Sequence, residues 1–130
     1  MMGMGARAVR VLVYRAPVDM RKQHDGLAAL VTGELRGDLL SGDVYVFVGK
    51  TRKRAKALTW DGTGLCLYSK KLVQGKFAAP WAAVGDGGNG GELTLTGSEL
   101  LLFFEGSTLV FRRALSPPPY DPSGDALVFA

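Results

Sequence analysis

Few residues in this chain could do covalent chemistry. Its 130 residues include one histidine, His24, and one cysteine, Cys66. One of each cannot make a Cys/His zinc site, and a single cysteine rules out an internal disulfide and fits a reducing compartment. Cys66 alternates with Leu65 and Leu67, so it reads as a small core residue rather than a nucleophile. His24 reads as an ordinary helix residue. There is no GxSxG elbow and no GxxxxGK[ST] phosphate loop. The GxGxxG-like spacing in "GDGGNGG" follows no buried strand and opens no helix. Asp19, Asp25, Asp43 and Asp61 are the acids that a two-metal nuclease would need. Simpler uses are at hand: Asp19 caps a helix, Asp43 begins a strand and Asp61 makes a turn. The expectation is a non-enzyme with no catalytic residues, cofactor or metal.

The remaining chemistry is cationic. Lys50, Arg52, Lys53, Arg54 and Lys56 crowd one end of a hairpin, and Lys70, Lys71 and Lys76 follow its return. The chain reverses once between them, at "DGTG", so both groups are expected at the same end, with Tyr68 and Phe77 nearby. Such an edge would hold phosphates without reading base sequence. Basic edge residues also deter aggregation, which is the ordinary alternative. Arg21 and Lys22 join the set from the expected first helical turn. Cations there oppose the helix dipole, and Asp19 and Asp25 would neutralise them locally. The charge balance agrees: residues 1–81 hold 14 Lys/Arg against 6 Asp/Glu, while residues 82–130 hold 2 against 6. A basic body suggests a polyanionic partner. Trp60 and Tyr68 are candidates for stacking on bases, with core packing the stronger reading for Trp60.

These residues need positioning elements. "AVRVLVYRAP" is strand-like, with Val9, Val11 and Val13 on one side and Arg10, Leu12 and Tyr14 on the other. "VDMRKQHDGLAALVTGELRG" predicts a helix capped by Asp19, with an apolar stripe of Leu27, Leu30, Val31 and Leu35, and stopped by Gly37. Gly26 weakens that helix by roughly 1 kcal/mol relative to alanine unless close packing needs a missing side chain. "SGDVYVFVGK" is a strand apolar on both faces, so both should be covered. "AKALTW" returns, Asp61-Gly62 signals a tight turn, and "LCLYSKKL" continues an antiparallel meander. "KFAAPW" suggests a short edge piece ending at Pro80.

Beyond it, residues 82–92 are glycine-rich and read as a linker. Thr96 and Glu99 form a capping box that opens a short helix ended by Gly106. "STLVFRRAL" alternates as a strand. "SPPPYDPSGD" is extended, and "ALVFA" is an apolar terminus. Composition is 47% apolar and 22% charged, which argues against wholesale disorder. No apolar run is long enough to span a membrane, and the start reads as a tail entering a strand, so a cytoplasmic protein is expected.

Three segments, "YRAPVDMRKQHDGLAALV", "SGDVYVFVGKTRKRAKALTWDGTGLCLYSKKLVQGKF" and the following "PW", resemble in order and spacing the accessory protein of the insertion sequence 66 family, called TnpB or Orf2. That family's pattern is similar to P-x-D-M-R-K…D-G-L-A, S-G…V-F, a basic run, W-D-G-x-G…K-R-L…G-x-F…W-P. "QHDG" replaces the family's G-x-D-G, and "APW" stands where W-P is common. The resemblance covers about residues 11–81, and "LTLTGSELLLFFEG" is similar to the family's closing helix. It implies a small protein of a transposable element that acts beside a separate transposase, with no catalytic residues to carry over.

The combined expectation is an α+β fold: a small antiparallel meander sheet packed by one longer helix, with a short C-terminal helix and strand. Residues 1–81 would form the basic core, 82–92 the linker and 93–130 an extension packing on the core. The expected role is a non-catalytic accessory factor that binds DNA through Arg21, Lys22, Lys50, Arg52, Lys53, Arg54, Lys56, Lys70, Lys71 and Lys76. The rival is an adaptor that recruits or regulates the transposase.

Overall fold

The computed structural model describes residues 9–82, 92–107 and 110–111. Seven elements follow in order: β1 (Val11–Tyr14), α1 (His24–Gly33), β2 (Val44–Val48), β3 (Arg54–Trp60), β4 (Leu65–Lys71), β5 (Glu92–Leu95) and α2 (Gly97–Phe104). The strands form one sheet in the order β4-β3-β2-β1-β5. The fold is α+β, as expected. β2, β3 and β4 make the antiparallel meander. β1 pairs with β2 in parallel, because the α1 crossover lies between them and returns the chain in the same direction. β5 pairs antiparallel with β1. Its alternation is too short to stand out in the sequence.

Each face of the sheet buries its own apolar layer. Leu12, Tyr45, Phe47 and Leu58 pack beneath Leu27 and Val31 of α1. Val13, Val46, Val48 and Ala55 face Phe77, Phe103 of α2 and Phe111 on the other side. The two-sided reading of β2 therefore holds: Val46, Phe47 and Val48 are fully buried and Tyr45 nearly so. The α1 stripe also holds, with Leu27 and Val31 buried and Leu30 and Leu35 partly so.

Several local expectations are corrected. α1 begins at His24, not after Asp19. Val18 pairs as a bridge with Gly49, its N–H donating to Val48 O at 3.0 Å, so the chain is still extended there. Asp19 instead closes a turn, accepting from the Arg21 backbone N–H at 2.9 Å. Arg21 and Lys22 therefore precede the helix rather than oppose its dipole from within. α1 ends at Gly33, and Arg36, not Gly37, takes the left-handed backbone conformation (φ 56). Gly37 has a different use: a Cβ there would meet the Tyr45 hydroxyl at 2.6 Å.

The hairpin turn spans Asp61–Gly64, because Trp60 pairs with Leu65. Cys66 is exposed rather than in the core, since it lies on the face of the edge strand opposite Leu65 and Leu67. No strand forms at 76–80: Phe77 N–H donates to Arg52 O and its side chain is buried, and a 3-10 turn runs Pro80–Ala82. The capping box is present, with Thr96 Oγ1 accepting from Glu99 N at 3.0 Å and Glu99 Oε1 accepting from Thr96 N at 2.8 Å. Gly106 follows α2 with φ 92, as its expected terminator should. Val110 and Phe111 lie in a 3-10 turn rather than the expected strand, where both are buried in the layer under α2. The N-terminal tail before Val9, the glycine run 83–91, the rest of the expected 107–115 strand beyond Phe111, the proline-rich segment and "ALVFA" lie outside the described residues.

Candidate nucleic-acid interface

The β3–β4 register places Arg54 directly opposite Lys71. Behind this pair the two basic loops are tied together. Leu72 N–H donates to Lys53 O at 2.8 Å, and Phe77 N–H donates to Arg52 O at 2.7 Å. Residues 50–54 and 70–77 thus form one end of the sheet, as the single reversal at Asp61–Gly64 implies.

Strand alternation then divides the cations between two faces. Arg54, Lys56 and Lys71 point to the α1 side, together with Leu58 and Leu67. Lys70 points to the α2 side with Ala55 and Ala57. Adjacent lysines at 70 and 71 cannot serve one flat patch. Sequence parity alone carries that signal, and grouping the residues by proximity passed over it.

Four cations are spent on the protein's own backbone. Arg52 Nε donates to Phe77 O at 2.9 Å, Lys53 Nζ to Gly75 O at 2.9 Å, Lys56 Nζ to Lys22 O at 2.8 Å and Lys70 Nζ to Phe104 O at 2.7 Å. All four acceptors lie outside the strand ladder, with Phe104 at the end of α2; the Arg52, Lys56 and Lys70 bonds are partly buried, where a carbonyl needs a donor, and the Lys53 bond to Gly75 is exposed. Lys56 is the extreme case at 5% exposure. Its ammonium faces the Lys22 turn rather than solvent.

Lys22, Lys50, Arg54, Lys71 and Lys76 are exposed. Among the described residues, no carboxylate lies within ion-pair distance of any of them. Arg21 differs. Its guanidinium binds the Asp19 carboxylate through Nε and Nη2, the latter at 2.7 Å. That contact holds Asp19 well below the usual carboxylate range and raises Arg21. Between Val44 and Gly85 the chain has one acid, Asp61, at the far end of the hairpin. Seven-residue strands separate it from the basic end by roughly 20 Å, beyond the ~10 Å screening length of ordinary buffers.

Of the aromatic candidates, Phe77 lies at this end, but none presents an open ring there. Trp60 is half-buried beside the turn. Phe77 is fully buried and stacked on Phe103 at 5.1 Å. Tyr68 is 54% exposed but sits on the α2 face, edge-on to Phe104 at 5.2 Å. His24 is exposed at the start of α1. Asp43 is fully buried and bound to Arg10, with Nη2 to Oδ2 at 2.8 Å. Among the described residues, no group of three or more His, Cys, Asp or Glu side chains is placed to hold a metal ion. Nor is any helix of these residues long and apolar enough to cross a membrane.

Known proteins share this sequence over most of the fold. Residues 9–113 match the family described as "IS66 Orf2 like protein". The uncharacterized protein y4jC of Sinorhizobium fredii is 41% identical over 75 residues, which is 58% of this chain and 64% of that protein. The match thus spans less than two thirds of that relative's length. The uncharacterized protein y4hO of the same organism is 32% identical over 98 residues, covering 75% of this chain and 80% of the relative. No solved structure matches the chain.

Proposed function

This chain belongs to the IS66 Orf2-like family, and we propose that it is a non-catalytic accessory protein of a transposable element that binds DNA through backbone phosphates at the basic end of the β3–β4 hairpin. The family implies an accessory role in transposition and is not a known catalytic one. Lys22, Lys50, Arg54, Lys71 and Lys76 make the phosphate contacts in this reading. Arg21 adds less, because it shares its charge with Asp19. Arg52, Lys53, Lys56 and Lys70 build the platform instead of touching the ligand.

The observation that carries the proposal is the opposed pair Arg54 and Lys71. Like charges directly across a ladder destabilise a sheet. No described carboxylate offsets this pair. A polyanion would.

The test is binding of a labelled random-sequence duplex across a salt series. About five phosphate contacts give a log–log slope of about −4.5. Absence of binding at low salt to both element ends and random duplex overturns the proposal.

A second reading, an adaptor for the separate transposase of the same element, is favoured by α2. Leu101 and Leu102 are 70% and 51% exposed on a helix whose other apolar residues pack inward. An apolar contact would capture that transposase in high salt and lose it on Leu101→Asp with Leu102→Asp. A DNA-mediated association would instead vanish on nuclease treatment.

A further inference from the structure

Lys22 is an exposed lysine, yet it is held from two directions. Its backbone carbonyl accepts the Lys56 ammonium at 2.8 Å, from a residue 34 positions away on β3. Its side-chain stem lies along Gly26: a Cβ at Gly26 would sit 3.1 Å from Lys22 Cβ and Cγ and 3.4 Å from Cδ. Those contacts explain why a glycine occupies the first turn of α1. An alanine there would press the stem outward.

The position of Lys56 says where Lys22 is held. Lys56 pairs with Ser69, and one step along the same face of the ladder Arg54 pairs with Lys71. Pairs two residues apart on one face are separated by roughly 7 Å. The turn carrying Lys22 is thereby tied to the Lys56–Ser69 step of the ladder, one pair along the same face from Arg54 and Lys71. A buried lysine and a helix glycine each carry a cost of their own. What they jointly fix is one solvent-facing cation.

We infer that Lys22 is a preorganised contact for a backbone phosphodiester, set beside Arg54 and Lys71 on the α1 side of the sheet by two positioning residues, Lys56 and Gly26. The inference rests on the DNA-binding reading above and adds to it a hierarchy: Lys22 acts as part of a fixed three-cation corner. Preorganisation lowers the ordering cost that a free lysine meets on binding.

The test is a double-mutant cycle read by the salt dependence of random-duplex binding. Lys22→Ala lowers the magnitude of the slope by about 0.9, one phosphate contact. Lys56→Met, which removes no ligand contact of its own, lowers it by the same amount, and the double variant loses no more than either single one. Gly26→Ala keeps every cation and still weakens binding, and it reports on positioning even where Lys56→Met fails to fold. Additive losses in the cycle, or a Gly26→Ala variant with wild-type affinity, overturn the inference while leaving the DNA-binding reading in place. Failure of the wild-type protein to bind duplex removes both.

Discussion

Arg52 and Phe77 are bonded to each other twice: Phe77 N–H donates to Arg52 O at 2.7 Å, and Arg52 Nε donates to Phe77 O at 2.9 Å. Arg52 does this from a left-handed backbone, φ 65, which a side-chain-bearing residue rarely adopts. The pair closes the basic end of the sheet and seats Phe77 in the core against Phe103. A residue that resembles a phosphate contact is in this structure a strut.

Replacing that strut separates its two contributions. Arg52→Ala removes the side-chain bond and keeps the disfavoured backbone, so it costs about 1–3 kcal/mol. Arg52→Gly loses the same bond but relieves the backbone, and it is the less destabilised variant. Urea unfolding of both variants checks the order.

Lys70 and Lys71 separate stability from binding. Lys70 donates to Phe104 O, the last residue of α2, where a cation also favours the helix dipole. Lys70→Ala lowers the melting temperature and leaves the salt slope of DNA binding unchanged. Lys71→Ala lowers the magnitude of that slope by about 0.9 without loss of stability, because it also removes the repulsion with Arg54. Thermal melts and salt titrations of the two variants give opposite patterns.

The Asp61 turn should be acid-sensitive. Asp61 Oδ1 accepts from Thr63 N and Gly64 N at 2.9 and 3.0 Å, while Oδ2 accepts from the Cys66 thiol at 3.3 Å. The Thr63 backbone bond foremost, then Cys66 and Gly64, lower its pKa from 3.8 to about 2. A folded-state value below the unfolded one means that the contribution is complete above pH 4 and is lost as pH falls through about 2. Melting temperatures of wild type and Asp61→Ala therefore converge on going from pH 5 to pH 2.

Cys66 reports on the same contact. Its hydrogen bond to the Asp61 carboxylate, with desolvation second, raises the thiol above its ordinary value. Exposed as it is, the thiol reacts slowly near neutral pH because little of it is thiolate. Asp61→Ala removes the stabilising acceptor, and alkylation by iodoacetamide at pH 8 becomes faster. An equal rate in the two proteins would contradict the assignment.

How much of this was legible depends on how far apart the interacting residues lie. The alternation of Val44–Val48 announces a strand covered on both faces, and Thr96 with Glu99 announces a helix start, because both signals are written among near neighbours. Asp19 carried an equally good cap signal that the structure does not use. Pairing of Val18 with Gly49 keeps the chain extended, and the helix starts five residues later. Cys66 looked interior because its neighbours are apolar, but an edge strand has one face that α1 does not cover.

The sequence by itself determined the α+β composition, the meander, and the meeting of two basic loops at one end, since periodicity and one reversal suffice for these. Only the tertiary structure decided what each cation does there. Parity along β4 separates the faces of Lys70 and Lys71, but no neighbouring residue encodes which backbone carbonyl Arg52, Lys53, Lys56 or Lys70 will meet. Folding brings the carbonyls of Phe77, Gly75, Lys22 and Phe104 within reach of these four. Backbone acceptors that the ladder leaves without a partner must be satisfied where water is excluded. Which side chain satisfies them is a matter of three-dimensional proximity.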